Sequence, residues 1–213
     1  MNPRAILFDL DGTLTDSSEG ILACVKESLK PFGIDLPRAT LTEFIGPPLT
    51  WSYPHFCSLT AEQTEQAVAA FQARYAVDGK FENRVYPGIP SVLSALRARG
   101  YLLAVATSKP ELFAREIIAH FSLDTLFASV RGGDMEETGT KADVIRRVLS
   151  DLSLPPEEAV MVGDRRHDVL GAREVGCPAV GVLWGFGSRE ELEESGAAAI
   201  IRTPEELLPL FPA

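Results

Sequence analysis

Cysteine, histidine and methionine are scarce in this chain, with three of each among 213 residues. The cysteines (Cys24, Cys57 and Cys177) lie far apart and match no zinc-binding spacing. Neither a disulfide framework nor a zinc site is therefore expected to organise the fold. They read as reduced thiols, mostly in a core, of a cytoplasmic protein. A chain of this length buries most of its surface on folding and needs no such staple. Long apolar runs are also missing, since none approaches the roughly 18 residues of a membrane span. The first apolar run, Ala5 to Phe8, ends in an acid, which does not resemble a secretory leader. Positive charge is short as well: 20 Lys and Arg stand against 30 Asp and Glu, a net charge of −10. That balance argues against nucleic acid as a partner, because binding a phosphate backbone needs clustered cations. It does not exclude a small phosphorylated ligand held by a metal ion and a few placed cations.

What is present is ordinary globular composition, 46% hydrophobic and 23% charged. Short apolar runs recur at Ala5 to Phe8, Leu102 to Ala106, Phe127 to Val130, Ala159 to Val162, Ala179 to Leu183 and Ala198 to Ile201. None alternates with polar residues, so each reads as a strand buried on both faces. Amphipathic segments separate most of them. Ser91 to Arg99 stops at Gly100, and Lys141 to Leu152 gathers Val144, Ile145, Val148, Leu149 and Leu152 on one face. Ser108-Lys109-Pro110-Glu111 and Thr203-Pro204-Glu205-Glu206 each have the form of a capping box. Strands alternating with helices predict an α/β fold, a Rossmann-like parallel sheet flanked by helices.

One stretch breaks the rhythm. From Ser17 to Asn83 no strand pattern is found. Helical patterns run from about Glu19 to Lys30 and from Ala61 to Val77, the second opened by a Thr60/Gln63 capping box, with Gly46-Pro47-Pro48 between them. The expected organisation is a core of residues 1–16 and 84–213 with an inserted helical cap domain, 17–83.

Ligands of open α/β sheets bind beyond the carboxyl ends of the strands. After the first strand come Asp9, Asp11, Gly12 and Thr13. After the second come Thr107 and Ser108, and after the run Ala159 to Val162 come Gly163, Asp164 and Asp168. Lys141 opens the helix after the third run. Clustered carboxylates without His or Cys suit a hard cation such as Mg²⁺. Thr107, Ser108 and helix-start N–H groups can hold phosphate oxygens, and Lys141 can neutralise a transferring phosphoryl group. An Asp in line with phosphorus can form an aspartyl-phosphate, and a second can manage the protons.

These segments resemble, in order, the four motifs of the haloacid dehalogenase superfamily. Asp9-Leu10-Asp11-Gly12-Thr13 resembles its D-x-D-G-T signature, with Asp16-Ser17 following it. Ala106-Thr107-Ser108-Lys109-Pro110 resembles its Ser/Thr motif, Lys141 its lysine, and Gly163-Asp164-Arg165-Arg166-His167-Asp168 its G-D-x-x-x-D. The resemblance spans essentially the whole chain and implies a phosphatase with a helical cap after the first strand. It implies Asp9 as nucleophile and metal ligand, Asp11 as general acid/base with its carbonyl on the metal, and Asp164 on Mg²⁺. Asp168 would be a metal ligand or the partner of one. Thr107, Ser108 and Lys141 would bind the phosphoryl group beside Gly12 and Thr13, with Thr107 and Lys141 assisting catalysis. It also implies that the three motif-bearing strands are neighbours.

Ile45-Gly46-Pro47-Pro48-Leu49, Tyr86-Pro87-Gly88 and Trp184-Gly185-Phe186-Gly187-Ser188 resemble the phosphoglycolate phosphatase-like group. Many of its members carry Lys-Pro-x-Pro where this chain has Lys141-Ala142-Asp143. The expected activity is therefore hydrolysis of a small phosphorylated metabolite, 2-phosphoglycolate first. A 5'-nucleotidase, a sugar-phosphate phosphomutase and a binding protein with a vestigial site are the alternatives. Partners are a small substrate, neither nucleic acid nor membrane, and at most a second copy of the chain. Closure of the cap would exclude water and let cap residues touch the leaving group. Trp51, Tyr53 and His55 would contact substrate or pack the cap, and Glu190 to Glu194 reads as a solvated helix face.

Overall fold

The computed structural model describes residues 3–135 and 139–212. The chain divides into two compact units, Met1–Thr15 with Val85–Ala213, and Asp16–Arg84. It opens with β1 (Ala5–Phe8) and the short β2 (Thr15–Asp16). Four helices follow: α1 (Ser18–Leu29), α2 (Arg38–Thr42), α3 (Leu49–Cys57) and α4 (Ala61–Arg74). β3 (Arg84–Val85), which pairs with β2, leads back to the first unit. Then come α5 (Ile89–Ala98), β4 (Leu102–Pro110), α6 (Glu111–His120), β5 (Ser129–Gly133), α7 (Lys141–Leu152) and β6 (Ala159–Gly163). α8 (Arg166–Val175), β7 (Ala179–Val182), α9 (Arg189–Ser195), β8 (Ala199–Ile201) and α10 (Leu207–Leu210) complete the order. No helix among the described residues is long and apolar enough to cross a membrane.

The first unit is built on a six-stranded sheet of order β5-β4-β1-β6-β7-β8, with parallel pairing throughout. β1 is completely buried, so both of its faces must be apolar. Ile6 and Phe8 point into one layer with Val92, Leu93 and Leu96 of α5 and Ala114, Ile117 and Ile118 of α6. Ala5 and Leu7 point the other way, against Val144, Ile145 and Val148 of α7, Val169 and Ala172 of α8, and Leu192 of α9. Each such Val, Leu, Ile or Phe side chain contributes roughly 1.5–3 kcal/mol by leaving water. The chain winds outward from β1 through β4 to β5, then crosses back to β6. That reversal opens a crevice beyond the carboxyl ends of β1 and β6.

Three local expectations are corrected. Ser108 does not cap a helix: β4 runs on to Pro110, and α6 starts at Glu111 without a side-chain cap. Proline disfavours helical backbone at the residue before it, which keeps Lys109 extended. Thr203 does not cap either; Pro204–Glu206 is a single tight turn before α10. The strand expected from Phe127 begins at Ser129 and continues through two glycines. Gly132 is required there, because a Cβ on it would lie 2.4 Å from the Lys109 carbonyl oxygen. α7 occupies the expected residues, opened by a reciprocal Thr140/Asp143 capping box.

In the second unit, α4 opens with the Thr60/Gln63 capping box. α2 and α3 were not read as helices from sequence, α3 because Pro54 lies inside it. Gly20 and Gly79 let two backbones touch, since a Cβ on Gly20 would stand 2.1 Å from the Gly79 carbonyl. Arg74 bonds both carboxylate oxygens of Glu82 (2.7 and 3.0 Å), Glu27 (3.1 Å) and the buried Cys24 sulfur (2.9 Å).

Candidate active site

The carboxyl ends of β1, β4 and β6, three neighbouring strands, carry the acids and hydroxyls singled out above. Asp9 follows β1, its N–H bonded to the Val162 carbonyl of β6 at 2.9 Å. Asp164 follows β6 and is wholly buried; Asp168, in the first turn of α8, is buried too. Asp9, Asp164 and Asp168 each present a carboxylate oxygen, and these oxygens all lie within 4.8 Å of one another. Lys141, the first residue of α7, reaches into the cluster. Its Nζ is 2.9 Å from Asp9 Oδ1, 2.7 Å from Asp168 Oδ1 and 3.1 Å from the Ala106 carbonyl. On the β4 side, Lys109 Nζ is 2.9 Å from Asp11 Oδ2, and both side chains are largely covered.

The electrostatics follow from this crowding. Burial, and then the neighbouring Asp168 and Asp9, hold the Asp164 carboxyl well above the usual carboxylate range. Burial and then Asp9 push Asp168 up, and Lys141 offsets only part of this. Burial alone would push the Lys141 ammonium down; Asp168 and Asp9 outweigh it and raise it. With all groups ionised, four carboxylates face two ammonium groups, an excess of two negative charges. Asp11 Oδ1 is buried and accepts no hydrogen bond. Asp9 Oδ1 and Asp168 Oδ1 lie within ion-pair distance of Lys141 without a well-directed hydrogen bond. An all-oxygen donor set with that charge deficit suits one hard divalent cation.

The other expected residues fall in or beside this crevice. Gly12 has φ +80° and packs against Asp164: a Cβ there would lie 2.2 Å from Asp164 Oδ2. Thr13 is buried, its hydroxyl 3.5 Å from Asp164 Oδ1. Thr107 is buried and its hydroxyl accepts from the Lys109 N–H at 3.2 Å, whereas Ser108 is exposed. In the helical unit Tyr53 is fully buried and bonds Ser28 at 2.6 Å, a packing role. Trp51 is half exposed and stacked on His55, centroids 4.3 Å apart.

Sequence reasoning missed two groups. Lys109, inside the Ser/Thr motif, is one; its alternation with Thr107 along β4 into the crevice is the available signal. The second is the loop after β7. Phe186 donates its N–H to Asp164 Oδ2 at 2.7 Å, and Trp184 donates its indole N–H to the Thr13 carbonyl at 3.0 Å. Gly185 and Gly187 permit the approach: Cβ atoms there would lie 2.3 Å from the Gly12 carbonyl and 1.9 Å from the Asp164 carbonyl. Glu191 contradicts the reading of Glu190 to Glu194 as a uniformly solvated face. Its side chain is 11% exposed and accepts from Arg165 Nε at 3.0 Å and the Arg166 N–H at 2.7 Å.

A sequence model of the haloacid dehalogenase-like hydrolases matches residues 6–182. Among curated proteins, a 5'-nucleotidase of Pseudomonas aeruginosa is 47% identical over 88% of this chain and 86% of its own. The tyrosine-protein kinase PtkA of Mycobacterium tuberculosis is 37% identical over 93% of this chain and 68% of its own. Phosphoglycolate phosphatase 1 of Pseudomonas aeruginosa is 31% identical over 97% of this chain and 79% of its own. Among solved structures, a predicted phosphatase from Clostridium acetobutylicum superposes with a TM-score of 0.92 at 41% identity, covering 97% of each chain. Sheet order, crevice and these relatives agree: the chain belongs to the haloacid dehalogenase-like hydrolases, as one of the family's phosphatases.

Proposed function

We propose that the chain is a Mg²⁺-dependent phosphomonoesterase that works through a covalent phosphoryl group on Asp9. The observation that carries this reading is the buried cluster of Asp9, Asp164 and Asp168 with Lys141 inserted among them. Asp9, Asp164, Asp168 and the Asp11 carbonyl would hold the cation, which when bound neutralises phosphoryl oxygens and the excess negative charge of the site. An Asp9 carboxylate oxygen attacks phosphorus while the bond from phosphorus to the ester oxygen breaks. Asp11, on the same loop, gives its proton to the departing oxygen. It then takes a proton from the water that attacks the aspartyl-phosphate, which releases inorganic phosphate and restores Asp9. Lys141 opposes the charge on the transferring group and Thr107 donates a hydrogen bond to it.

For substrate, the proposal is a nucleoside 5'-monophosphate. The sequence alone ranked 2-phosphoglycolate first; the 47% identity to a 5'-nucleotidase, against 31% to a phosphoglycolate phosphatase, reverses that order. Purified protein should release phosphate from nucleoside monophosphates with Mg²⁺ and not with EDTA, and Asp9→Asn should abolish release. Undiminished turnover by that variant would sink the mechanism. A higher kcat/KM for phosphoglycolate than for any nucleotide would return the substrate to the first reading.

A further inference from the structure

β4 delivers a lysine to the crevice that the chemistry above leaves without a task. Thr107 and Lys109 stand two residues apart on β4, so their side chains leave the same face of the strand. The backbone at Lys109 is fixed from three directions. Its N–H donates to the Thr107 hydroxyl at 3.2 Å. Pro110 keeps it extended. A Cβ on Gly132 of β5 would lie 2.4 Å from its carbonyl oxygen, so β5 passes against it with no side chain between. The ammonium at the end of this anchored stem lies 2.9 Å from Asp11 Oδ2, and the Lys109 side chain is only 7% exposed.

Asp11 is held differently from the other acids of the site. Asp9 and Asp168 share Lys141, and Asp164 accepts from the Phe186 N–H. Asp11 is not one of that metal-binding group. Its Oδ1 is buried and accepts no hydrogen bond, and Lys109 is the one partner of its carboxylate among the described residues. Solvent screens an ion pair this far from water only weakly, so the carboxylate is held rather than free to turn.

We propose that Lys109 is a positioning residue for Asp11: it pins Oδ2 and leaves Oδ1 as the oxygen that passes a proton to the leaving group and takes one from water. This rests on the proton role given to Asp11 above. The arrangement serves both halves of the reaction. With the proton on Oδ1, Oδ2 stays against the ammonium; the Oδ1–H bond breaks as the ester oxygen gains the proton, and it forms again when water attacks the aspartyl-phosphate. Lys141 and Thr107 serve the phosphoryl group, and Lys109 serves the proton.

The test compares kcat/KM for two phosphate esters, a quantity that reports the step in which the ester oxygen departs. Dinitrophenolate leaves as an anion and needs no proton, whereas the alkoxide of a nucleoside 5'-monophosphate must be protonated as it leaves. Lys109→Met should lower kcat/KM for the nucleotide about 10- to 100-fold, the scale of loss when a reacting group is misplaced, with a far smaller loss for dinitrophenyl phosphate. Lys109→Arg, which keeps a cation at that point, should recover part of the nucleotide activity. Lys109→Met added to Asp11→Asn should cost little more, because groups that act as a unit are not additive. Equal loss on both esters, or an additive loss in the double variant, overturns the inference. If Lys109→Met does not fold, the same comparison on Lys109→Gln decides it. If the wild type prefers phosphoglycolate, that ester takes the nucleotide's place, since its leaving oxygen is an alkoxide too. Absence of the ester contrast in Asp11→Asn overturns the proton role of Asp11 itself. The contrast in Asp11→Asn without one in Lys109→Met overturns the inference alone, which separates the two failures.

Discussion

Replacing Lys141 by methionine removes the ammonium group inserted between Asp9 and Asp168 in the buried acidic cluster. The stem packs against α8, its Cγ only 2.8 Å from where a Cβ on Gly171 would stand. Methionine keeps that bulk, so the charge is the main change. With Nζ 2.7 Å from Asp168 and 2.9 Å from Asp9, each attraction is on the order of 6 kcal/mol at an effective dielectric constant of ~20. Much of this is offset by the several kcal/mol needed to take an ammonium out of water. Truncating one partner of a buried pair leaves the others without counter-charge and costs about 3–5 kcal/mol. At roughly 2–4 °C per kcal/mol for a chain of this size, Tm in EDTA should fall by about 10 °C. The two carboxylates raise the ammonium above the ordinary lysine value of 10.5. Its contribution is therefore complete below that pH and is lost only as pH rises beyond it. Mg²⁺ should restore part of the loss, because a divalent cation among the same carboxylates supplies the missing charge. Hydrolysis should drop about 10²- to 10³-fold, as when one charge-stabilising donor is removed from an active site. Calorimetric melts with EDTA and with Mg²⁺ read the first effect. A Lys141→Met protein as stable as wild type in EDTA would refute the reasoning.

Other sites yield smaller and separable effects. Gly12→Ala forces a side chain into left-handed backbone at φ +80° and against Asp164, at a cost of about 1–2 kcal/mol for the backbone alone. Its Mn²⁺ affinity should fall, and an unchanged value counts against the packing argument. Asp151 accepts from Arg131 (2.7 and 2.8 Å) and Ser129 (2.6 Å), and these bonds lower its pKa from 3.8 to about 2. A lowered carboxyl stabilises above the unfolded value and loses that contribution as pH falls through the folded one. Both side chains are about a third exposed, so Asp151→Asn should cost only about 1 kcal/mol at neutral pH. In urea titrations the difference from wild type should vanish near pH 2. Thr60→Ala removes the acceptor of the Gln63 N–H at the start of α4 and should cost about 1 kcal/mol, read as faster amide exchange in the first turn of that helix.

The parallel sheet was legible because its inner strands β1, β6 and β7 are buried on both faces, and only an unbroken apolar run satisfies two faces at once. α7 was legible to the residue, since its apolar stripe is local. The failures share a cause. Ser108 and Thr203 have the side chains of helix caps, but Pro110 and Pro204 govern the backbone around them, and proline geometry prevails over a hydrogen bond worth about 1 kcal/mol. α3 carries a proline at its sixth position, tolerated because Leu49, Ser52 and Tyr53 are buried among neighbouring side chains. Burial of that kind is settled by residues distant in sequence, so no local window contains it.

The site divides in the same way. Asp9, Asp11, Asp164 and Asp168 were legible because each must stand a fixed number of residues beyond a strand end, where the sheet alone brings them together. Glu191 was not, because nothing in Arg189-Glu190-Glu191-Leu192-Glu193-Glu194 distinguishes one acid from the next until the helix is placed. Leu192 must face the sheet, where it is fully buried against Gly181. That requirement turns its neighbour Glu191 toward the start of α8 and leaves Glu193 to solvent, with Arg189 one turn away. One apolar side chain therefore selects which carboxylate of an acidic run meets Arg165.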